Sequence, residues 1–151
     1  MRVYLLNSEK ELPAIAEVLL QLRPQYSQES LINQIKKQQK SGYQIAYVKA
    51  DNNILCVAGF VVGEKIAWGK HIYIDDLVTN DNHRSTGVGT FIIDWFKSYC
   101  KELGCNQLHL DSGIQKFPAH RFYLNNRFNI ASHHFSITDI CSLQGTQKDK
   151  K

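Results

Sequence analysis

Two glycines, Gly87 and Gly89, stand between a long β-branched run ending in Asp75-Asp76-Leu77-Val78 and a strongly amphipathic stretch through Phe91, Ile92, Trp95, Phe96 and Tyr99. A strand that passes through a glycine loop into a helix restricts the chain to folds that mix both element types. It also has a chemical consequence. The first turn of a helix presents unpaired N–H groups and the positive end of the helix dipole, and glycines let an anion approach them without side chains in the way. The segment Arg84-Ser85-Thr86-Gly87-Val88-Gly89-Thr90 therefore reads either as a phosphate seat or as a glycine turn that merely starts a helix. GxxxxGK[ST] is absent, which excludes a P-loop, and Ile92 stands where a dinucleotide fingerprint needs its third glycine.

The hydrophobic period changes along the chain. Leu12, Ile15, Ala16, Leu19 and Leu20 recur at helical spacing. Asn7 or Ser8 can cap that helix with Glu11 as capping-box partner, and Arg23-Pro24-Gln25 breaks it. A second helix begins near Ser27 and carries Leu31, Ile32 and Ile35. Residues 43–49, 54–62 and 66–78 are rich in β-branched and aromatic side chains and read as an antiparallel meander. Its turns are expected at Asp51-Asn52-Asn53 and at Gly63-Glu64-Lys65. Gly104 should close the amphipathic helix, 107–110 is a short strand, 118–125 a short helix, and 128–140 returns to strand character. This is an α+β chain, with 1–142 read as one domain and 143–151 as a polar, flexible tail.

Hydrophobic residues make up 43% and charged residues 21%, a globular composition. No apolar run approaches the ~18 residues of a membrane span, and Asn7, Ser8, Glu9 and Lys10 interrupt the N-terminus too early for a signal peptide. A cytoplasmic location and no membrane partner are expected. The net charge is +4, but Lys148, Lys150 and Lys151, offset by Asp149, supply half of it. The body is mildly basic, so nucleic acid is not expected as a partner. Cys56, Cys100, Cys105 and Cys141 form no CxxC pair and read as buried thiols. The six histidines form no HExxH, so no metal is expected.

The stretch IYIDDLVTNDNHRSTGVGTFIIDWF, a strand followed by Arg-x-x-Gly-x-Gly, resembles motif A of the GNAT acetyltransferase superfamily. Downstream, Ala119-His120-Arg121-Phe122-Tyr123-Leu124 followed by Arg127-Phe128 resembles its motif B. Together they span residues 72–128 in the family's order. The resemblance implies a mixed, mostly antiparallel sheet with helices on both faces and a splayed parallel strand pair holding the cofactor. It implies an N-acetyltransferase with acetyl-CoA as cosubstrate and no metal. The backbone of Leu77, Val78 and Thr79 would pair with the pantetheine amides, and one N–H there would polarise the thioester carbonyl. Arg84, Ser85, Thr86, Gly87, Val88, Gly89 and Thr90 would cradle the pyrophosphate, with Arg84 on a phosphate and Ser85 and Thr90 as hydroxyl donors.

Tyr123 would be the general acid that protonates the departing thiolate, although periodicity alone makes it an aromatic anchor. Asp75 and Asp76 would take the amine proton, directly or through water, or hold a cationic acceptor. Adjacent strand residues point to opposite faces unless a bulge intervenes, so one of the pair, Asp75 by preference, is expected to face the site. His120, on the face of Tyr123, is either a proton relay or a cap. The family's Gly-Phe pair reads Arg127-Phe128 here, a change expected to affect a turn, and the asparagine frequent at the start of the motif B helix has no counterpart in 114–118. The expected acceptor is the primary amine of a small molecule, polyamine-like or aminoalkyl, held by the segment 23–30, the acidic pair and the C-terminal strands. The alternatives are a protein or aminoacyl-tRNA acceptor and, from another class, a non-catalytic acyl-CoA-binding regulatory module. A homodimer is left open.

Overall fold

The computed structural model describes residues 1–83 and 87–143. Five strands, β1 (Arg2–Leu5), β2 (Tyr43–Ala50), β3 (Asn53–Lys65), β4 (Gly69–Thr79) and β5 (Gln107–Leu110), form one sheet in sequence order. β1 to β4 pair antiparallel, and β4 pairs with β5 in parallel. The helices are α1 (Leu12–Leu22), α2 (Gln28–Gln39), α3 (Val88–Leu103) and α4 (Phe117–Asn125).

Strand alternation divides the core into two layers. Ala46 and Val48 of β2 and Cys56, Ala58 and Phe60 of β3 join Ile92, Ile93 and Phe96 of α3 on one face. Ile45 and Tyr47 of β2 and Val57 of β3 join Ile15, Leu19, Leu31 and Ile35 of α1 and α2 on the other. Phe60 and Phe96 meet edge to face at 5.1 Å, the favoured geometry for an aromatic pair. The mixed sheet with helices on both faces agrees with the expected architecture.

Several local expectations change. Ser8 makes no side-chain cap bond; a 3₁₀ turn (Glu9–Glu11) follows it, and α1 starts at Leu12 with a proline in its first turn. The capping box belongs to α2 instead, between Ser27 and Ser30. The β2–β3 turn is where it was expected, with Asp51 and Asn52 both at positive φ, as a two-residue primed turn requires. The β3–β4 turn is not. β3 runs through Gly63 to Lys65, and residues 66–68 make the turn. The left-handed position is Gly69, at φ +66° opposite Lys65, so Gly63 is a strand residue rather than punctuation.

Residues 128–140 form no strand. Phe128 packs on the core, but Ile130, Phe135, Ile137 and Ile140 are exposed, and strand propensity needs a surface to pack on, which these four lack. The tail expected at 143–151 lies outside the described residues from 144 onward. Cys56 and Cys100 are buried as expected, but Cys105 is partly exposed and Cys141 exposed. No helix among the described residues is long and apolar enough to cross a membrane.

Arg127 follows α4 at φ +72°, the backbone state that explains why motif B carries glycine at this turn. Arg127→Gly should raise unfolding stability by roughly 0.5–1 kcal/mol, relieving left-handed strain of about 1–2 kcal/mol while adding unfolded-chain entropy. Urea titration of both proteins checks this.

Candidate functional site

The two carboxylates are brought together by an irregularity in β4. Phe60 pairs with Ile74 but Gly59 pairs with Asp76, so Asp75 is an extra residue in the ladder. Such a bulge breaks strict alternation and re-aims the side chains beside it. Asp75 and Asp76 consequently both line one cavity of about 340 Å³ between β4 and the α1–α2 segment, floored by Leu19, Leu31 and Ile35. The expectation that one of the pair would face away is corrected by this bulge.

Their environments differ. The Arg23 guanidinium donates to Asp76 Oδ1 from Nε at 3.0 Å and from Nη2 at 2.8 Å, and Nη2 also reaches the Asp75 carbonyl at 3.3 Å. The Tyr43 hydroxyl donates to Asp76 Oδ2 at 2.7 Å. Tyr43 can lie there because Gly59 has no side chain: a Cβ at Gly59 would sit 1.7 Å from the hydroxyl oxygen. Burial and the adjacent Asp76 push the Tyr43 hydroxyl well above its ordinary value, which keeps it a donor. Both Asp76 oxygens are thus engaged. Asp75 is exposed, and burial, then the charges of Asp76 and Asp111, raise its carboxyl above the ordinary value against the pull of Arg23. The family resemblance puts the segment 23–30 beside the expected acceptor but does not single out Arg23 or Tyr43. Their signals, an arginine at a helix break and a strand-initial tyrosine facing a mid-strand glycine, have many ordinary causes.

The β4–β5 ladder ends at Ile74 and Leu110, whereas β4 continues to Thr79. Leu77, Val78 and Thr79 therefore keep β3 on one side and have no strand on the other among the described residues. Buried Asn80 ends β4. Its amide donates to the Ile54 carbonyl at 2.9 Å and accepts from Gln21 at 3.0 Å, fixing where the following loop departs. Arg84, Ser85 and Thr86 lie outside the described residues. Gly87 caps α3 at φ +83°, with open space around its missing Cβ. Val88 is buried, and Thr90 is exposed in the first turn. Gly89 has a packing reason to be glycine: a Cβ there would lie 2.9 Å from the Phe122 ring.

That contact helps dock α4 on α3, together with the bond from Lys97 Nζ to the Asn126 carbonyl at 2.9 Å. Tyr123 sits between Phe122 and Phe128, with centroids at 5.4 and 5.7 Å. Burial, and secondarily Cys56, raises its hydroxyl above the ordinary value, so the phenol holds its proton at neutral pH. It stands on the α3 side of the sheet, while the acidic cavity is on the α1–α2 side. The β4–β5 pairing ends at Ile74 and Leu110, next in sequence to the acidic pair. His120 bonds the Gly113 carbonyl at 2.6 Å and so ties the preceding loop to α4. Among the described residues no group of histidine, cysteine, aspartate and glutamate could hold a metal.

The model of the acetyltransferase (GNAT) family matches residues 11–127. The chain is 29% identical over 132 residues to an uncharacterized N-acetyltransferase, YhdJ, of Bacillus subtilis (strain 168), covering 86% of this chain and 93% of that one. It is 34% identical over 82 residues to glucosamine 6-phosphate N-acetyltransferase 1 of Dictyostelium discoideum, covering 52% of each. In fold it is similar to an aminoglycoside N-acetyltransferase, AAC(6')-Iy, solved in complex with CoA, with TM-score 0.76, 13% identity, and coverage of 93% of this chain and 95% of that one.

Proposed function

The chain belongs to the GNAT acetyltransferase family, and from that premise we propose that it carries acetyl from acetyl-CoA to the primary amine of a small molecule. The observation that carries this reading is the cavity containing Asp75, which opens beside the stretch of β4 that β5 leaves unpaired. The backbone of Leu77, Val78 and Thr79, which has β3 on one edge and no described strand on the other, suits the pantetheine amides, which would add there as a strand would. The open N-terminus of α3 at Gly87 suits the pyrophosphate, joined by the backbone of Val88 and Gly89 and by Thr90. Arg84, Ser85 and Thr86, in the same motif, are assigned to it on sequence alone.

Aminolysis of a thioester forms a C–N bond, breaks the C–S bond and moves one proton off nitrogen and one onto sulfur. An alkylammonium with a pKa near ~10 must first lose a proton, and Asp75 has the raised basicity this step needs, with Arg23 bonded to the Asp76 carboxylate rather than to its own. Asp76 is the positioning residue, held by Arg23 and Tyr43. Tyr123, kept protonated by its surroundings, gives its proton to the leaving thiolate. The Dictyostelium relative is named for a small amino-sugar acceptor, which favours a small amine over a macromolecule.

A thiol-release assay with acetyl-CoA against amines, peptides and aminoacyl-tRNA tests the reading. Turnover of small amines supports it, and turnover restricted to peptides or tRNA overturns it. Gly87→Glu should weaken acetyl-CoA binding about tenfold or more, since one negative charge then faces another in a partly dry site. Gly87→Asn, neutral and tolerant of positive φ, should stay within a few-fold of wild type by calorimetry. Equal binding by all three proteins removes the α3 N-terminus from the donor site.

A further inference from the structure

The charge inventory of the acceptor cavity narrows the amine further, and this step rests on the small-amine reading above. Three charged side chains line it: Arg23, Asp75 and Asp76. Arg23 and Asp76 are bound to each other through a two-donor contact, with Asp76's side chain only 16% exposed. One carboxylate, Asp75, has no cation bonded to its oxygens, although it feels Arg23, and among the described lining residues no second cation is left for an acceptor's own phosphate or carboxylate. Asp111, whose charge Asp75 feels, accepts from Tyr73 and lies 3.6 Å from His134 Nδ1.

The rest of the polar lining is neutral. Gln25, Gln34, Gln38 and Tyr26 contribute amides and a hydroxyl. Gln34 Nε2 donates to Gln38 Oε1 at 2.9 Å. That bond uses one hydrogen of Gln34 and one lone pair of Gln38, leaving the Gln34 carbonyl oxygen and the Gln38 amide hydrogens for a bound molecule. Donors and acceptors of this kind on a floor of Leu19, Leu31 and Ile35 match hydroxyl groups carried on a carbon frame.

We infer that the acceptor is a monocationic amine bearing hydroxyl groups, an amino sugar or amino polyol without phosphate, and that the Arg23–Asp76 pair is the specificity device that excludes both polyamines and anionic amines. The pair works by cancelling one carboxylate. Among the described residues that line the cavity, a second ammonium finds no unpaired anion and an acceptor phosphate no unpaired cation, so each would lose its water for nothing in return.

The test uses glucosamine, glucosamine 6-phosphate and spermidine as probes, with steady-state acetylation and, separately, calorimetric binding to the protein saturated with CoA, which has no acetyl to transfer. Wild type should prefer glucosamine to both others in kcat/KM. Arg23→Gln frees the Asp76 charge and should improve spermidine binding about five- to tenfold, the scale of one added charge contact in a half-solvated cavity. Asp76→Asn frees the Arg23 charge and should favour glucosamine 6-phosphate by a similar factor. Arg23→Lys keeps the charge without the fork and should retain the wild-type order, whereas a merely structural role would make both Arg23 variants fail alike. Spermidine or the phosphate preferred by wild type, or an order unmoved by either charge change, overturns the inference while the acetyltransferase reading stands. Absence of turnover with every amine, peptide and tRNA defeats that broader reading as well.

Discussion

Tyr123→Phe should lower kcat by about 10²- to 10⁴-fold, the usual worth of a positioned general acid, with acetyl-CoA affinity nearly unchanged. The ring's contacts are with Phe122 and Phe128, and phenylalanine preserves them, so the fold and the docking of α4 should survive. The burial that raises the phenol also makes it a poor place for a lasting negative charge, which suits a donor that is reprotonated each cycle. Equal losses in kcat and kcat/KM would mark an interaction made only in the transition state. Single-turnover measurements keep product release from masking the effect. An unchanged chemical step would return Tyr123 to the role its periodicity alone suggests, an aromatic anchor.

The elements with strong periodicity or an unambiguous turn were readable from residues alone. α3 shows its face at Phe96 and its end at Gly104, which takes the left-handed C-cap with φ +73°. Asp51-Asn52 marks its hairpin because two successive positive φ values have few other tenants. The β3–β4 turn lies beyond Gly63, the glycine that marks it in the sequence. Gly63 is paired in the ladder, and the backbone demand falls on Gly69, a distinction that depends on register rather than composition. The expected strand at 128–140 failed for another reason: its residues have strand preference, but beyond Phe128 its large apolar side chains, Ile130, Phe135, Ile137 and Ile140, are exposed.

At the candidate site, sequence could supply residue types but not their relative directions. Two adjacent aspartates on a strand should diverge, and only the register step at Gly59 and Phe60 turns both toward one cavity. That step is tied to Tyr43, which lies across Gly59 from a strand sixteen residues earlier and holds Asp76. Gly89 was legible as a glycine the motif needs, but its packing reason, the Phe122 ring, is a tertiary contact. The ion pair that separates the roles of Asp75 and Asp76 joins residues 53 apart, beyond the reach of any local pattern.

Asp75→Asn should cut kcat at neutral pH by about 10²- to 10⁴-fold, as loss of a general base does, and recover activity as pH rises. Recovery is expected because a larger share of an amine with a pKa near ~10 is then already neutral and needs no base. In wild type the acid limb of kcat/KM should lie above the ordinary carboxylate range, since burial and the charges of Asp76 and Asp111 raise this carboxyl. Asparagine should abolish that limb. A carboxylate that only held the ammonium would behave differently, with KM rising and kcat nearly constant at every pH. Stability gives an independent check on the sign. A carboxyl whose pKa is higher in the folded than in the unfolded protein holds its proton more tightly when folded, so its ionisation works against folding as pH rises through the folded value. Asp75→Asn should therefore melt slightly higher than wild type near pH 7, with the difference vanishing in acid where both side chains are neutral. A variant that is less active, melts no lower and regains rate at high pH has lost a base; one that melts lower at neutral pH has lost structure, and that outcome sinks the assignment.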